Sequence, residues 1–216
     1  MLVRTWNLFH GNSHPPQRRG FLREMVELVA RDDPDVLCLQ ELPVWALPHL
    51  ERWSGMQRVG AVARRRRPLG RWVTELHHGV LRSALTGEAD AILLAPRFRL
   101  SDERQAVVST HGLRRIVHGV RIDGGVYVAN VHITGDEEQL GRVAEFVSGE
   151  PQAIVAGDLN LRGAGLPGFS PPLPDRIDQV LVRGLPCGPP SAWPEDRRRL
   201  GRTLLSDHAP VELHVE

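Results

Sequence analysis

The sequence predicts a layered α/β or α+β sandwich rather than a purely parallel sheet. Three observations lead there: many short apolar runs of strand length, two helical stretches set among them, and a hairpin signal at Asp123-Gly124-Gly125. In order, Val3 to Trp6 reads as the first strand. Pro15-Pro16 opens a helical stretch in which Phe21, Leu22, Met25, Val26, Leu28 and Val29 recur at helical spacing, and Asp33-Pro34 ends it. Asp35 to Leu39 and Ala91 to Leu94 read as buried strands. Ile116 to Ile122 and Val126 to Val131 flank the hairpin turn. Asp136 to Val147 reads as a helix closed by Gly149 and Pro151, and Ala153 to Ala156, Ile177 to Val182 and Val211 to Val215 complete the strands.

The bulk numbers set bounds. A chain of 216 residues, 41% of them apolar, can bury one substantial core, and no linker, repeat or charge block divides it, so one domain over 1–216 is expected. Met1 runs straight into a strand with no basic-then-apolar leader, and no stretch approaches the roughly 20 apolar residues of a membrane span. Cys38 and Cys187 form neither a disulfide framework nor a metal spacing. A cytoplasmic protein with no obligate protein partner and no membrane span is the expectation.

The net charge of +1 provides no global field for nucleic acid. All 27 basic residues are arginine, which a compositional bias explains as well as phosphate recognition does. Local clusters remain at Arg18-Arg19, Arg64 to Arg67, and Arg197 to Arg199 with Arg202; solvated loops are the alternative for each. At 5% aromatic, the chain has no evident stacking platform for single strands.

Polar motifs recur at the ends of the apolar runs. They are Thr5-Trp6-Asn7, Leu39-Gln40-Glu41, Asn130-Val131-His132, Gly157-Asp158-Leu159-Asn160, Ile177-Asp178 and Ser206-Asp207-His208. Carboxylates, amides and imidazoles gathered at one edge are the groups that hold a hard divalent cation and handle phosphate. Each also has a plainer reading. Glu41 could pair with a surface cation, and Asn7 could cap a turn. Asp158 and Asn160, two apart, share one face if the backbone stays extended; a tight turn after Gly157 is the alternative. His10 and His14 with Asn12 lack a completing acid or cysteine and carry no metal assignment. Trp45, Trp53, Trp72 and Trp193 read as packing, and His77-His78 as loop.

In this order the motifs resemble the endonuclease/exonuclease/phosphatase superfamily, and the resemblance runs from residue 5 to residue 208. It implies an α+β fold, a four-layer α/β/β/α sandwich of two mixed β-sheets flanked by helices, with the site at one rim. It implies Mg²⁺, for which Mn²⁺ substitutes, held by Asn7, Glu41 and Asp207. Catalytic roles fall to Asp158, which orients or deprotonates water, and to Asn160, a donor to a phosphoryl oxygen. They fall also to His132 and to a His208–Asp178 pair acting as base or as phosphate clamp. Glu88 or Asp90 would orient His132. A histidine at position 132 resembles the deoxyribonuclease, sphingomyelinase and phosphatase branches more than the abasic-site endonucleases.

The activity expected is Mg²⁺-dependent phosphodiester hydrolysis by in-line water attack, with nucleic acid the favoured substrate. Arg64, Arg65, Arg66, Arg67, Arg197 and Arg198 are the expected backbone contacts, and the Gly/Pro-rich stretch Arg162 to Pro174 borders the substrate. A phospholipid or sugar-phosphate esterase is the alternative on the same chemistry. A non-catalytic binding module is the alternative outside it.

Overall fold

The computed structural model describes residues 1–65 and 86–216; Arg66, Arg67, Trp72, His77 and His78 lie outside the described residues. A six-stranded sheet runs in the order β11 (Ser191–Ala192), β14 (Val211–His214), β1 (Leu2–Asn7), β3 (Val36–Leu42), β5 (Glu88–Leu94), β4 (Gln57–Arg64). A five-stranded sheet runs β10 (Asp178–Arg183), β9 (Ala153–Asp158), β8 (Tyr127–His132), β7 (Ile116–Ile122), β6 (Leu100–Val107). A small third sheet joins β12 (Arg199–Leu200), β13 (Thr203–Leu205) and β2 (Ser13–His14). The pairs β1–β3 and β8–β9 are parallel and the other pairs antiparallel, so both large sheets are mixed.

Side chains alternating along each strand build the layers. In β3, Val36 and Cys38 join the core between the two large sheets, with Ile92, Leu94, Val128, Ile154 and Val180. Leu37 and Leu39 point the other way, onto α1 (Leu22–Val29) and α2 (Leu50–Ser54). On the outer face of the five-stranded sheet, Val131, Val155 and Leu181 pack against Val143 of α3 (Glu137–Phe146). The result is the expected sandwich of sheets flanked by helices. Among the described residues no helix is long and apolar enough to cross a membrane.

Two element boundaries differ from the sequence reading. Helix α1 starts at Leu22, well past Pro15-Pro16, because Ser13–His14 pair with β13 and the Phe21 amide donates to Gly11 O at 2.8 Å. Strand β6, exposed on an edge and carrying Asp102, Glu103, Arg104 and Gln105, has no apolar run that would mark it.

Two buried amides join the large sheets just below the strand ends. Gln40 Nε2 donates to Asn130 Oδ1 at 2.7 Å and to Thr5 Oγ1 at 2.9 Å. Asn130 Nδ2 donates to the carbonyls of Leu39 (3.0 Å) and Ala91 (2.9 Å). Both amides are fully buried, and each satisfies groups that would otherwise be stranded without water. His118, in register with Asn130, is also fully buried. Burial lowers its pKa to about 4, against a smaller opposing contribution from the Val59 backbone.

Two outcomes are expected. Asn130→Ala strips Gln40 and two backbone carbonyls of their partners and should lower unfolding stability by about 2–4 kcal/mol in urea titration; a loss under about 0.5 kcal/mol would rule out the staple. His118 is neutral when folded and titrates near 6.5 when unfolded, so the unfolded chain takes up the proton first. Stability is therefore full above pH 6.5 and falls as pH drops toward 4. Between pH 7 and pH 5, His118→Leu should show a shallower loss than the parent protein; an unchanged slope would contradict the assignment.

Candidate active site

Strand register assembles the rim. Asn7 ends β1 beside Gln40 of β3, His132 ends β8 beside Asp158 of β9, and Asp178 opens β10 opposite Asp158. The loop after β13 brings in Ser206, Asp207 and His208. Ser206 Oγ donates to Asn7 O at 2.8 Å and accepts from the His208 amide at 3.1 Å, while Trp6 Nε1 donates to His208 O at 2.9 Å. The first and last motifs are thus bolted together by residues of the motifs themselves.

Asp158 is the centre. Its Oδ2 accepts from Asn7 Nδ2 at 3.0 Å and lies 3.8 Å from His132 Nε2 and 3.9 Å from His208 Nδ1. Asn7 Nδ2 also donates to Glu41 Oε1 at 3.2 Å, so one amide bridges two carboxylates from different sheets. Glu41 reaches this point through a bulge: the β3–β5 register shifts between Leu39 and Leu42, and Glu41 has φ 53°. Its side chain is one-fifth exposed, whereas Asp158 is buried. Asp158 follows Gly157, where an added Cβ would lie 1.9 Å from Val131 O, so only glycine permits this approach of β8 and β9.

Two imidazoles are held by carboxylates. His208 Nδ1 meets Asp178 Oδ2 at 2.9 Å. Burial opposes its charge, but the Asp178 hydrogen bond, with Asp178, Asp158 and Asp207 nearby, outweighs this and raises His208 to about 9. His132 Nδ1 lies 3.2 Å from Glu88 and 2.9 Å from Arg115 Nη1, and Arg115 also donates to Glu88. Burial alone would raise the Glu88 carboxyl, yet the His132 hydrogen bond and the His132 and Arg115 charges bring it down to about 2. Glu88, not Asp90, is therefore the group beside His132. Asp90 is fully enclosed, and burial pushes it up to about 7.

Of the eight described non-glycine residues with positive φ, five lie here: Phe9, His10, Glu41, Asn160 and Ser206. Such conformations cost of order 1–3 kcal/mol each and persist where surrounding contacts dictate them. Their concentration here singles out the rim as the candidate site.

Several expectations are corrected. Asn7 directs Nδ2 at the carboxylates while its Oδ1 accepts from the Phe9 amide at 2.9 Å, so the carbonyl expected to face a cation is turned onto the backbone. The chain does not stay extended through Asn160, which has φ 50°; its N–H donates to Asp158 Oδ1 at 2.9 Å and its Nδ2 to Ile133 O at 2.8 Å. The tight-turn alternative describes this segment. Arg198 is buried and donates to the carbonyls of Leu205, Ser206 and His208, so it supports the Ser206–His208 loop from behind instead of facing substrate. Arg197 is spent on Glu212 at 2.8 Å and Asp32 at 3.2 Å and lies over the Trp193 ring. Arg64 does approach the site, 3.8 Å from Glu88, and with exposed Arg65 and Arg114 lines a cleft of about 600 Å³. His10, given no metal assignment from the sequence for want of a completing acid, is buried with Nε2 3.5 Å from Glu41 Oε2, and burial lowers its pKa. Arg115 had no local signal.

The donor chemistry fits a hard divalent cation: Glu41 and Asp207 present carboxylate oxygens at a partly exposed surface. Ligand atoms of Asp158, Asp178 and His208 also lie within 4.8 Å of one another. His208 and Asp178 are committed to each other at 2.9 Å, so this trio can handle protons as well as hold an ion.

The sequence model of the Endonuclease/Exonuclease/phosphatase family matches residues 5–208, the span from the first motif to the last. The chain belongs to the endonuclease/exonuclease/phosphatase family. Members of this family are usually hydrolases acting on phosphoester bonds, generally with a divalent metal. No curated protein matches by sequence. Among solved structures, a functionally unknown conserved protein from Enterococcus faecalis superposes with TM-score 0.74 at 16% identity, covering 100% of this chain and 99% of that one. An endonuclease/exonuclease/phosphatase from Beutenbergia cavernae gives 0.72 at 18%, covering 100% and 71%. Truncated Caenorhabditis elegans TDP2 gives 0.65 at 20%, covering 99% and 96%. At these identities the likeness is one of fold.

Proposed function

We propose that this family member is a Mg²⁺-dependent phosphodiesterase, with Mn²⁺ as a substitute, that hydrolyses nucleic acid by in-line attack of water, and that residues 1–216 act as one domain. The observation that carries the reading is the placement of Asp158 between two carboxylate-held imidazoles, with Glu41 joined to it through Asn7. Glu41 and Asp207 would hold the cation, which would supply charge stabilisation to the phosphate oxygens.

The chain's own groups do the rest. Asp158, already accepting from Asn7 and Asn160, orients the attacking water and takes its proton. His208, kept charged by Asp178, donates from Nε2 to a phosphoryl oxygen. His132, fixed through Nδ1, presents Nε2 on the other side of Asp158. Asn160 Nδ2 gives one N–H to Ile133 O and has a second for the substrate. Arg64, 3.8 Å from Glu88, and Arg65, which shares its cleft, favour a polyanion over a small headgroup. The intact set of acids and imidazoles argues against a binding module.

The test is turnover of plasmid DNA, single-stranded DNA, RNA, sphingomyelin and bis-p-nitrophenyl phosphate with Mg²⁺ or Mn²⁺ and with EDTA. Nucleic-acid cleavage abolished by chelator is expected; full turnover in EDTA would contradict it. His208→Ala should cost at least roughly 10² in kcat. Asp178→Asn acts through His208, so the double variant should be little worse than His208→Ala alone. Strictly additive losses would rule out the pair.

A further inference from the structure

We infer that His10 is a nitrogen ligand of the cation held at Glu41, so that the site binds Mn²⁺ more tightly than its oxygen ligands alone would, while Mg²⁺ still serves. The inference rests on the reading of Glu41 as a cation ligand. Its basis is where the chain places this imidazole and at what conformational cost.

His10 has φ 52° and follows Phe9 at φ 46°, two consecutive left-handed residues with β-carbons. Contacts on every side impose this turn. Asn7 Oδ1 accepts from the Phe9 amide at 2.9 Å, Gly11 N–H donates to Leu8 O at 2.7 Å, and the Asn12 amide and side chain both donate to Phe9 O. A bend of this kind is retained when what it delivers matters. What it delivers is an imidazole only 4% exposed, aimed at Glu41.

The contact is not an ordinary hydrogen bond. His10 Nε2 and Glu41 Oε2 are 3.5 Å apart, beyond the usual 2.7–3.2 Å range, and Nδ1 is buried with no hydrogen-bond partner among the described residues. A structural histidine would normally have at least one nitrogen well satisfied. Two ligands at right angles on an ion bound at about 2.1 Å lie roughly 3 Å apart, so a small closure brings both onto one cation. His132, on the opposite oxygen of Glu41 at 3.7 Å, is already fixed through its other nitrogen by Glu88 and Arg115. His10 carries no such commitment. Mg²⁺ favours oxygen ligands and sheds water reluctantly, whereas a mixed imidazole–carboxylate set favours transition metals.

The experiment uses the whole chain with Mn²⁺ as probe. Calorimetric titration gives the Mn²⁺ and Mg²⁺ affinities, and electron spin-echo envelope modulation of bound Mn²⁺ reports directly coordinated imidazole ¹⁴N. The parent protein is expected to show ¹⁴N modulation. His10→Phe and His10→Gln are expected to lose it and to reduce the Mn²⁺-over-Mg²⁺ preference by roughly tenfold or more, with Gln retaining the better Mg²⁺ affinity. Absence of ¹⁴N modulation in the parent, or its persistence in either folded variant, overturns the inference. Mn²⁺ binding that depends on Glu41 but shows no ¹⁴N coupling defeats only the His10 assignment. No stoichiometric Mn²⁺ binding, or binding unchanged in Glu41→Gln, defeats the Glu41 reading together with it.

Discussion

The arrangement of the site depends on a buried amide pair that fixes one large sheet against the other. An apolar interface between sheets is tolerant of sliding, because dispersion and burial have little direction. The Gln40–Asn130 contact at 2.7 Å is directional, and breaking it would strand polar groups far from water. It lies one residue below Glu41 on β3 and two below His132 on β8. Any slip between the sheets would therefore separate the two groups that the rim must hold together. Asn7 repeats the device one level higher, bridging Glu41 and Asp158.

Above that staple, the rim combines strain with satisfaction. Left-handed Glu41, Asn160 and Ser206 each turn the chain where a regular strand would have carried it past the site. Each turn is held by partners: Asp158 caps the Asn160 amide, and Ser206 reaches back to Asn7 O. Arg198 holds the Ser206–His208 loop through its carbonyls, which explains a buried guanidinium in a cluster that looks like a surface patch. The two imidazoles are oriented in different ways. Asp178 holds His208 Nδ1 at 2.9 Å, whereas Glu88 and Arg115 share His132 Nδ1, so equivalent substitutions at the two histidines need not have equal effects.

Much of this was legible because the polar motifs end apolar runs, and strand ends fall together at a sheet edge. The strands followed from their apolar runs, the four layers from the family resemblance, and the Asp123-Gly124-Gly125 turn from its own residues, with Gly124 at φ 80°. What escaped reading was conformation and long-range pairing. Nothing in Leu39-Gln40-Glu41 announces a bulge, and Gly157-Asp158-Leu159-Asn160 fits an extended chain as well as a turn. Gln40 and Asn130 were noticed only as neighbours of functional residues, since their partnership spans strands far apart in sequence. His10 looked isolated because Glu41, the acid beside it, arrives from a different strand. An arginine that binds carbonyls and one that binds phosphate have the same sequence signature.

The central claim is that water, activated at Asp158, attacks phosphorus. It is tested most directly by hydrolysing a phosphodiester in ¹⁸O-enriched water and locating the label by mass spectrometry. The account predicts one ¹⁸O in the phosphoryl product of each turnover and none in the released alcohol. Label in the alcohol, or product formed without incorporation, would contradict it.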